Sequence, residues 1–342
     1  MHILIQHPHG AGKISGVLTY VKHLTKDLTQ QGITSEVLST ESHNIFAWIA
    51  AIQRADQVYA NSNHLGFILL AKLLGKPVIL KYHYPIYHKI LAIHGEQWQR
   101  SHPGFWNSLR EEIYLLLTWQ WRSPRWFIYD LTQILRLFVI IGCSLIVDER
   151  WACSNALRDH CQLPKLVKTV YNPFVPDPDL DVGKPAPPRT TIVYTGRLAY
   201  EKGVDILLQA IALLKEKHRD IPRVRILGDG PERENLIQLS KDLGLREQVD
   251  FLGRVDSEVV RREMKGAIAV VVPSRYFDAA PYVVWEATSA GAQVMASDCG
   301  GLPELVIGSR QVFATNSDFK LACLLRSIGT ANEKANCTGV LR

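Results

Sequence analysis

The chain has 342 residues, room for two domains rather than one core, and its 47% hydrophobic and 21% charged residues exclude a disordered or fibrous chain. A net charge of +6 suits anionic small ligands such as nucleotide phosphates or lipid headgroups, and is too diffuse to indicate nucleic acid. The six cysteines form no CxxC pair or metal-ligand spacing, and the N-terminus carries no basic segment with a cleavage site; reduced thiols in a cytoplasmic protein are expected.

The first predicted strand is "HILIQ" (2–6), followed by the glycine-rich "HPHGAGKISG" (7–16). A strand leading into Gly12-Lys13 suggests an ATP-binding P-loop. That motif needs glycine where His7 stands and Ser or Thr where Ile14 stands, so the ATPase reading fails twice. "VLTYVKHLTKDLTQQG" (17–32) has apolar residues at helical spacing and ends on glycine. "TSEVLST" (34–40), "DQVYAN" (56–61) and "PVILKYH" (77–83) read as strands, with the apolar helix "LGFILLAKLLG" (65–75) before the last. Short apolar strands alternating with helices predict a parallel sheet covered on both faces.

Residues 89–146 break the rhythm and hold five of the eight tryptophans. The apolar stretch "WFIYDLTQILRLFVIIGCSLIV" (126–147) contains Asp130 and Arg136 and falls short of a clean membrane span. Residues 98–128 mix aromatic side chains with Arg110, Arg122 and Arg125. Helices lying in a membrane interface and an inserted piece of core both explain them. The rhythm resumes at "LIVDERWACSNALRDH" (145–160), and then "NPFVPDPDLDVGKPAPP" (172–188) places six prolines in a stiff connection. Its "DPDLD" contains two DxD triplets, read as a solvated acidic linker rather than a metal site.

A second series follows: strands "TIVYTG", "VRILGDG", "VDFLG", "IAVVVPS" and "AQVMAS", separated by four amphipathic helices. The expected organisation is an N-terminal domain over 1–172 with an aromatic-rich insertion at about 89–146, a linker over 173–188, and a C-terminal domain over 189–342. Two such α/β units imply a cleft between them, with ligands at strand C-termini.

"YTGRLAYEKGVDILLQA" (194–210), "ILGDGPERENL" (226–236), "VDFLGRV" (249–255) and "VVPSRYFDAAPYVVWEATSAGAQVMASDCGGLPELV" (271–306) occur in that order. Together they closely resemble the C-terminal domain of glycosyltransferase family 4, the retaining, group 1 transferases of the GT-B type. Residues 1–88 and 145–172 agree more loosely. The resemblance implies an α/β chain of two Rossmann-like parallel-sheet domains facing across a cleft. It implies a sugar moved from a nucleoside diphosphate to a saccharide or lipid-linked acceptor, with no cofactor beyond that co-substrate and no metal. It also implies a cytoplasmic enzyme, with peripheral contact at the cytosolic membrane face as a further expectation.

Residue by residue, the resemblance implies that Arg197 and Lys202, on a turn entering a helix, grip the diphosphate, aided by the backbone N–H groups and dipole of a helix N-terminus. Asp278 and Glu286 occupy the family's two acidic positions eight residues apart. Glu286, read as opening a helix, would accept bonds from ribose hydroxyls. Asp278 would contact the donor sugar, and stands one methylene short of the usual glutamate. Pro281 replaces a frequent glycine, and the N–H groups of Tyr282 and Val283 would reach phosphate. His83, at the end of "PVILKYH", would bond a sugar hydroxyl or the leaving group; neighbouring His88 is a weaker candidate. Gly16 would let backbone approach donor phosphate or acceptor, with Lys13 a bystander.

Two other readings stay open: a nucleotide-sugar epimerase of the same architecture, and a weakly active or non-catalytic nucleotide-sugar binder. The second draws on Asp278 and on the C-terminus, where "FKLACLLRSIG" gives one helix and the polar "TANEKANCTGVLR" leaves the family's crossover helix abbreviated.

Overall fold

Three consecutive residues, Ile3, Leu4 and Ile5, are completely buried in the first strand, β1 (His2–His7). A strand with no alternation of burial is covered on both faces, as in a parallel sheet between helix layers. The computed structural model describes residues 1–9, 16–42, 44–93, 104–118, 124–176, 189–217, 221–306 and 311–329. It divides into two compact units, Met1–Val175 and Pro176–Arg342. The glycine-rich stretch at 10–15 with Lys13, the "DPDLD" of the linker, and residues 330–342, on which the abbreviated crossover falls, lie outside the described residues.

In the first unit β1 is followed by α1 (Gly16–Gln30), β2 (Thr34–Ser39), α2 (Ile45–Arg54), β3 (Gln57–Ala60), α3 (Leu65–Leu73) and β4 (Val78–Tyr82). Then come α4 (Phe105–Thr118), α5 (Pro124–Ile146), β5 (Glu149–Ala152), α6 (Asn155–Cys161) and β6 (Lys168–Thr169). The strands pair in parallel in the order β2-β1-β3-β4-β5-β6. The chain leaves β1 toward one edge and returns on its other side at β3, and such a reversal opens a crevice at the strand C-termini.

Helix α2 has no counterpart in the sequence-based expectation. Asn44 starts it, its side chain accepting the Ala47 N–H at 3.1 Å, and Trp48, Ala51 and Ile52 are buried. The tryptophan-rich region is partly core: Leu115 and Leu116 of α4 and Leu137 and Ile140 of α5 are buried. Glu112, also buried, accepts the Lys89 and Ile90 N–H groups at 3.0 and 2.9 Å. It caps the helical turn at 88–93, although burial pushes its carboxyl pKa up.

The second unit runs β7 (Thr191–Thr195), a single 3₁₀ turn (Tyr200–Lys202), α7 (Val204–Lys217), β8 (Arg223–Leu227), α8 (Arg233–Asp242) and β9 (Val249–Gly253). It continues with α9 (Ser257–Lys265), β10 (Ala267–Val272), α10 (Tyr282–Ser289), β11 (Gln293–Ser297), α11 (Leu302–Leu305), β12 (Val312–Phe313) and α12 (Asp318–Gly329). All strands are parallel in the order β12-β11-β10-β7-β8-β9. Counted from β7, this is the dinucleotide-fold order, with the direction reversing between β7 and β10. Leu207 and Ile211 of α7, Ile226 of β8 and Leu321 of α12 share one buried cluster. Both Rossmann-like units of the expected α/β fold are present.

Candidate functional site

In the second unit the reversal between β7 and β10 gathers the predicted polar residues. The 3₁₀ turn carrying Lys202 closes on Gly203, whose φ is +64°. A Cβ on Gly203 would lie 2.0 Å from the Pro273 carbonyl oxygen, so the turn presses against the chain leaving β10 and only glycine fits. That contact brings the Lys202 Nζ to donate to Asp278 Oδ2 at 2.6 Å, while the Ser274 hydroxyl donates to the same oxygen at 3.0 Å. On its other side the Asp278 backbone meets Gly300, at φ +61°, where a Cβ would stand 2.6 Å from the Asp278 carbonyl oxygen. The Gly301 N–H donates to that oxygen at 2.9 Å. Asp278 is therefore fixed by both main chain and side chain.

Neither predicted cation stands alone. Lys202 pairs with Asp278, and Arg197 pairs with Glu201 four residues on. Two cations beside a helix start repel unless compensated, and here carboxylates of the chain compensate them. An incoming polyanion would exchange with these carboxylates.

Arg275, absent from the sequence-based candidates, braces the turn. Its guanidinium is bidentate to Asp205, donates to the Tyr200 carbonyl at 3.1 Å and to Asn316 Oδ1 at 2.9 Å, and lies 4.5 Å from the Tyr200 ring centre. Its own N–H donates to the Glu201 carbonyl at 2.9 Å. The Asp205 carboxylate holds the Arg275 pKa above its ordinary value.

Pro281 is the N-cap of α10, and Tyr282 and Val283 open that helix ahead of its own hydrogen-bond ladder. One expectation is corrected here. Glu286 does not open a helix; it sits in the second turn of α10, half-buried, because the helix begins at Tyr282 directly after the proline. Gly16 begins α1, and a Cβ there would meet nothing within 4 Å among the described residues, whose packing does not demand glycine.

The first unit assembles a separate polar network at the ends of β1, β3 and β4. Buried Gln6 donates to the Thr40 and Ser62 hydroxyls at 2.9 and 2.7 Å. The Asn61 Nδ2 donates to the Gln6 carbonyl at 3.0 Å, which turns the Asn61 Oδ1 toward His83 Nε2 at 3.0 Å. Since that oxygen can only accept, Nε2 carries the proton and Nδ1 offers a lone pair. Burial, aided by the Lys81 charge, pushes the His83 pKa down to about 3, so the ring is neutral at physiological pH. The Tyr20 ring lies between the two, 4.8 Å from the His83 ring centre and 4.5 Å from Lys81 Nζ. Lys81 itself donates to the Val170 carbonyl at 2.9 Å, and burial lowers its pKa to about 8. His88 belongs elsewhere: it accepts from Arg136 of α5 at 2.5 Å.

The assigned tautomer gives a direct expectation. Nitrogen-15 spectra of the wild type should show a neutral His83 protonated at Nε2 that does not titrate between about pH 8 and 5. In Asn61→Asp the carboxylate beside Nε2 should raise the pKa by one unit or more. A wild-type ring titrating near its ordinary value would refute the assignment.

Among the described residues no group of three or more His, Cys, Asp or Glu side chains is arranged to hold a metal ion.

Comparison with known proteins bears on the second unit above all. The family "Glycosyl transferases group 1" matches residues 180–336. An uncharacterized glycosyltransferase, MJ1607, of Methanocaldococcus jannaschii is 37% identical over 115 residues, covering 34% of this chain and 29% of that protein. The phosphatidylinositol N-acetylglucosaminyltransferase gpi3 subunit of Schizosaccharomyces pombe is 34% identical over 174 residues, covering 49% of this chain and 36% of its own. The matched stretches thus span about a third of the length of these curated relatives. The crystal structure of Anabaena Alr3699/HepE in complex with UDP and glucose superposes with a TM-score of 0.66 at 19% identity, covering 97% of this chain and 90% of that one. The fold is therefore that of a two-domain GT-B protein, and residues 180–336 are similar to the group 1 glycosyl transferases.

Proposed function

We propose that this protein is a glycosyltransferase that moves a sugar from a nucleoside diphosphate to a saccharide or lipid-linked acceptor in the cytoplasm. The anomeric configuration is retained, and neither a metal nor a separate cofactor is needed. The observation that carries this reading is the Lys202–Asp278 pair, with Arg197 on the same strand-end turn, at the sheet reversal of a unit similar to group 1 glycosyl transferases.

In this reading the diphosphate displaces both carboxylates, Asp278 from Lys202 and Glu201 from Arg197, and takes over the two cations. The N–H groups of Tyr282 and Val283 and the α10 dipole add to the grip. Asp278, freed from Lys202, accepts a hydroxyl of the donor sugar, and Glu286 accepts from the ribose. His83 Nδ1, a lone pair on a neutral ring, suits accepting a sugar hydroxyl rather than protonating the leaving group. As the anomeric carbon–oxygen bond breaks, its electrons pass to the diphosphate. The acceptor oxygen bonds to the same face and its proton goes to the departing phosphate. Gly16 leaves room for backbone beside phosphate or acceptor.

A thermal-shift screen with UDP, GDP, ADP and their sugars tests the binding step, since a ligand of the native state raises the melting temperature. UDP comes first because structures of this fold carry it. Anomer-resolved product analysis, with and without acceptor and in excess chelator, tests the rest. The absence of a shift with every nucleotide would overturn the proposal. Turnover without acceptor would indicate an epimerase, and activity restored only by added Mn²⁺ would remove the metal-independent step.

A further inference from the structure

Helix α5 is largely apolar, yet only one side is covered. Leu137, Ile140 and Ile141 face inward and are buried, and α3 and α4 pack along the helix. The opposite side carries Ile128, Leu131, Leu135, Phe138 and Leu145, each between 43% and 66% exposed. Their spacing of three, four, three and seven residues draws one stripe, about 25 Å long at the helical rise. Over Ile128–Ile146 the mean hydropathy is 1.6, and only 33% of that stretch is buried inside the protein.

The neighbouring helix bears on what could cover this stripe. On α4, Trp106, Arg110 and Tyr114 recur every four residues and all are exposed. Among the described residues neither helix exposes a carboxylate. Glu111 is half-buried, Glu112 serves the Lys89 and Ile90 amides, and buried Asp130 faces Lys89 at 3.6 Å. Arg110 and Arg136 are exposed. A second copy docking through the same face would bring cations to cations with no exposed acid between them, and the stripe lacks the flanking Glu–Lys pairs of a helix–helix seam. An anionic bilayer fits all three features: acyl chains for the stripe, headgroup depth for Trp106 and Tyr114, and lipid phosphate for the arginines.

We propose that the outward face of α4 and α5 docks on an anionic lipid surface, with α5 lying in the interface rather than crossing it. Its inward face is already packed in protein, which excludes a span. The sequence-based expectation centred such contact on 98–128; the structure shifts its apolar part to 128–145. This inference does not depend on the transferase reading.

The test is flotation of the full chain, without sugar nucleotide, on phosphatidylcholine vesicles with or without about one-third phosphatidylglycerol. The wild type should float with the anionic vesicles, and high salt or neutral vesicles should weaken this several-fold. Leu135→Glu with Phe138→Glu should cut binding at least ~10-fold while leaving circular dichroism and melting unchanged. Trp106→Ser with Arg110→Glu, fully on the surface, gives a second reading should the first variant fail to fold. A wild type that stays unbound would overturn the proposal, as would folded variants that float equally. So would a wild-type dimer that the double variant splits while neither form binds vesicles.

Discussion

Exchanging Lys202 for alanine should lower sugar transfer by about 10²- to 10³-fold, the usual loss when one preorganised charge is removed from a developing anion. The fold should survive, because Asp278 keeps the Ser274 hydroxyl and its two backbone anchors. The informative companion is Asp278→Asn. Lys202 then loses its anionic partner, so a nucleoside diphosphate no longer has to displace a carboxylate. Its affinity should hold or rise while transfer falls at least ~10-fold, since the asparagine no longer offers the sugar an anionic acceptor. Nucleotide thermal shifts and initial rates on the same preparations separate the two effects. Undiminished nucleotide binding in Lys202→Ala would break the link between this turn and the phosphates.

Acid should unfold the first unit before the second. His83, His88 and His160 are held neutral by burial, with pKa values pushed down to about 3, 4 and 4 from an ordinary 6.5. Two of the rings accept hydrogen bonds, His88 from Arg136 and His160 from the Tyr87 N–H, that protonation would break. The unfolded chain therefore binds more protons than the folded one. The stability these rings contribute is intact above about pH 6.5 and is lost as pH falls toward 4, at up to about 1.4 kcal/mol per pH unit for each ring. By pH 4.5 the loss should reach several kcal/mol, a large share of a typical domain stability of about 5–15 kcal/mol. The second unit has a single histidine, His218, and seven of the eight tryptophans lie before residue 176. Tryptophan emission in denaturant titrations should therefore report an early transition that moves with pH, and His88→Gln with His160→Gln should flatten it. A stability flat from about pH 6.5 to 4.5 would contradict the prediction.

Much of the architecture is legible in the sequence because parallel strands buried on both faces read as unbroken apolar runs, such as "HILI" and "AIAVVV". The glycines that force tight turns are not picked out: Gly203 and Gly300 stand where backbone approach requires them, whereas the sequence points to Gly16. Helix α2 was illegible: "IFAWIAAIQR" is apolar almost throughout, so the polar face that marks helical spacing is missing. Partnerships are harder still. Lys202 and Asp278 lie 76 residues apart, and no local pattern tells that the one answers the other. The Gln6–Asn61–His83 chain joins three strand ends by amide groups that carry no spacing signal. Arg275 looks like one more surface cation until Asp205, Tyr200 and Asn316 are found around it.

That guanidinium ties distant stretches of chain together. Through Asn316 it reaches the segment just ahead of α12, and α12 in turn packs on α7, the helix that leaves the Lys202 turn. The Lys202 turn and the last described helix thus form a closed mechanical loop, latched at one end by Arg275 and at the other by apolar packing. Loosening α12 would release the latch from behind, and amide exchange at Glu201–Gly203 would register damage more than a hundred residues away.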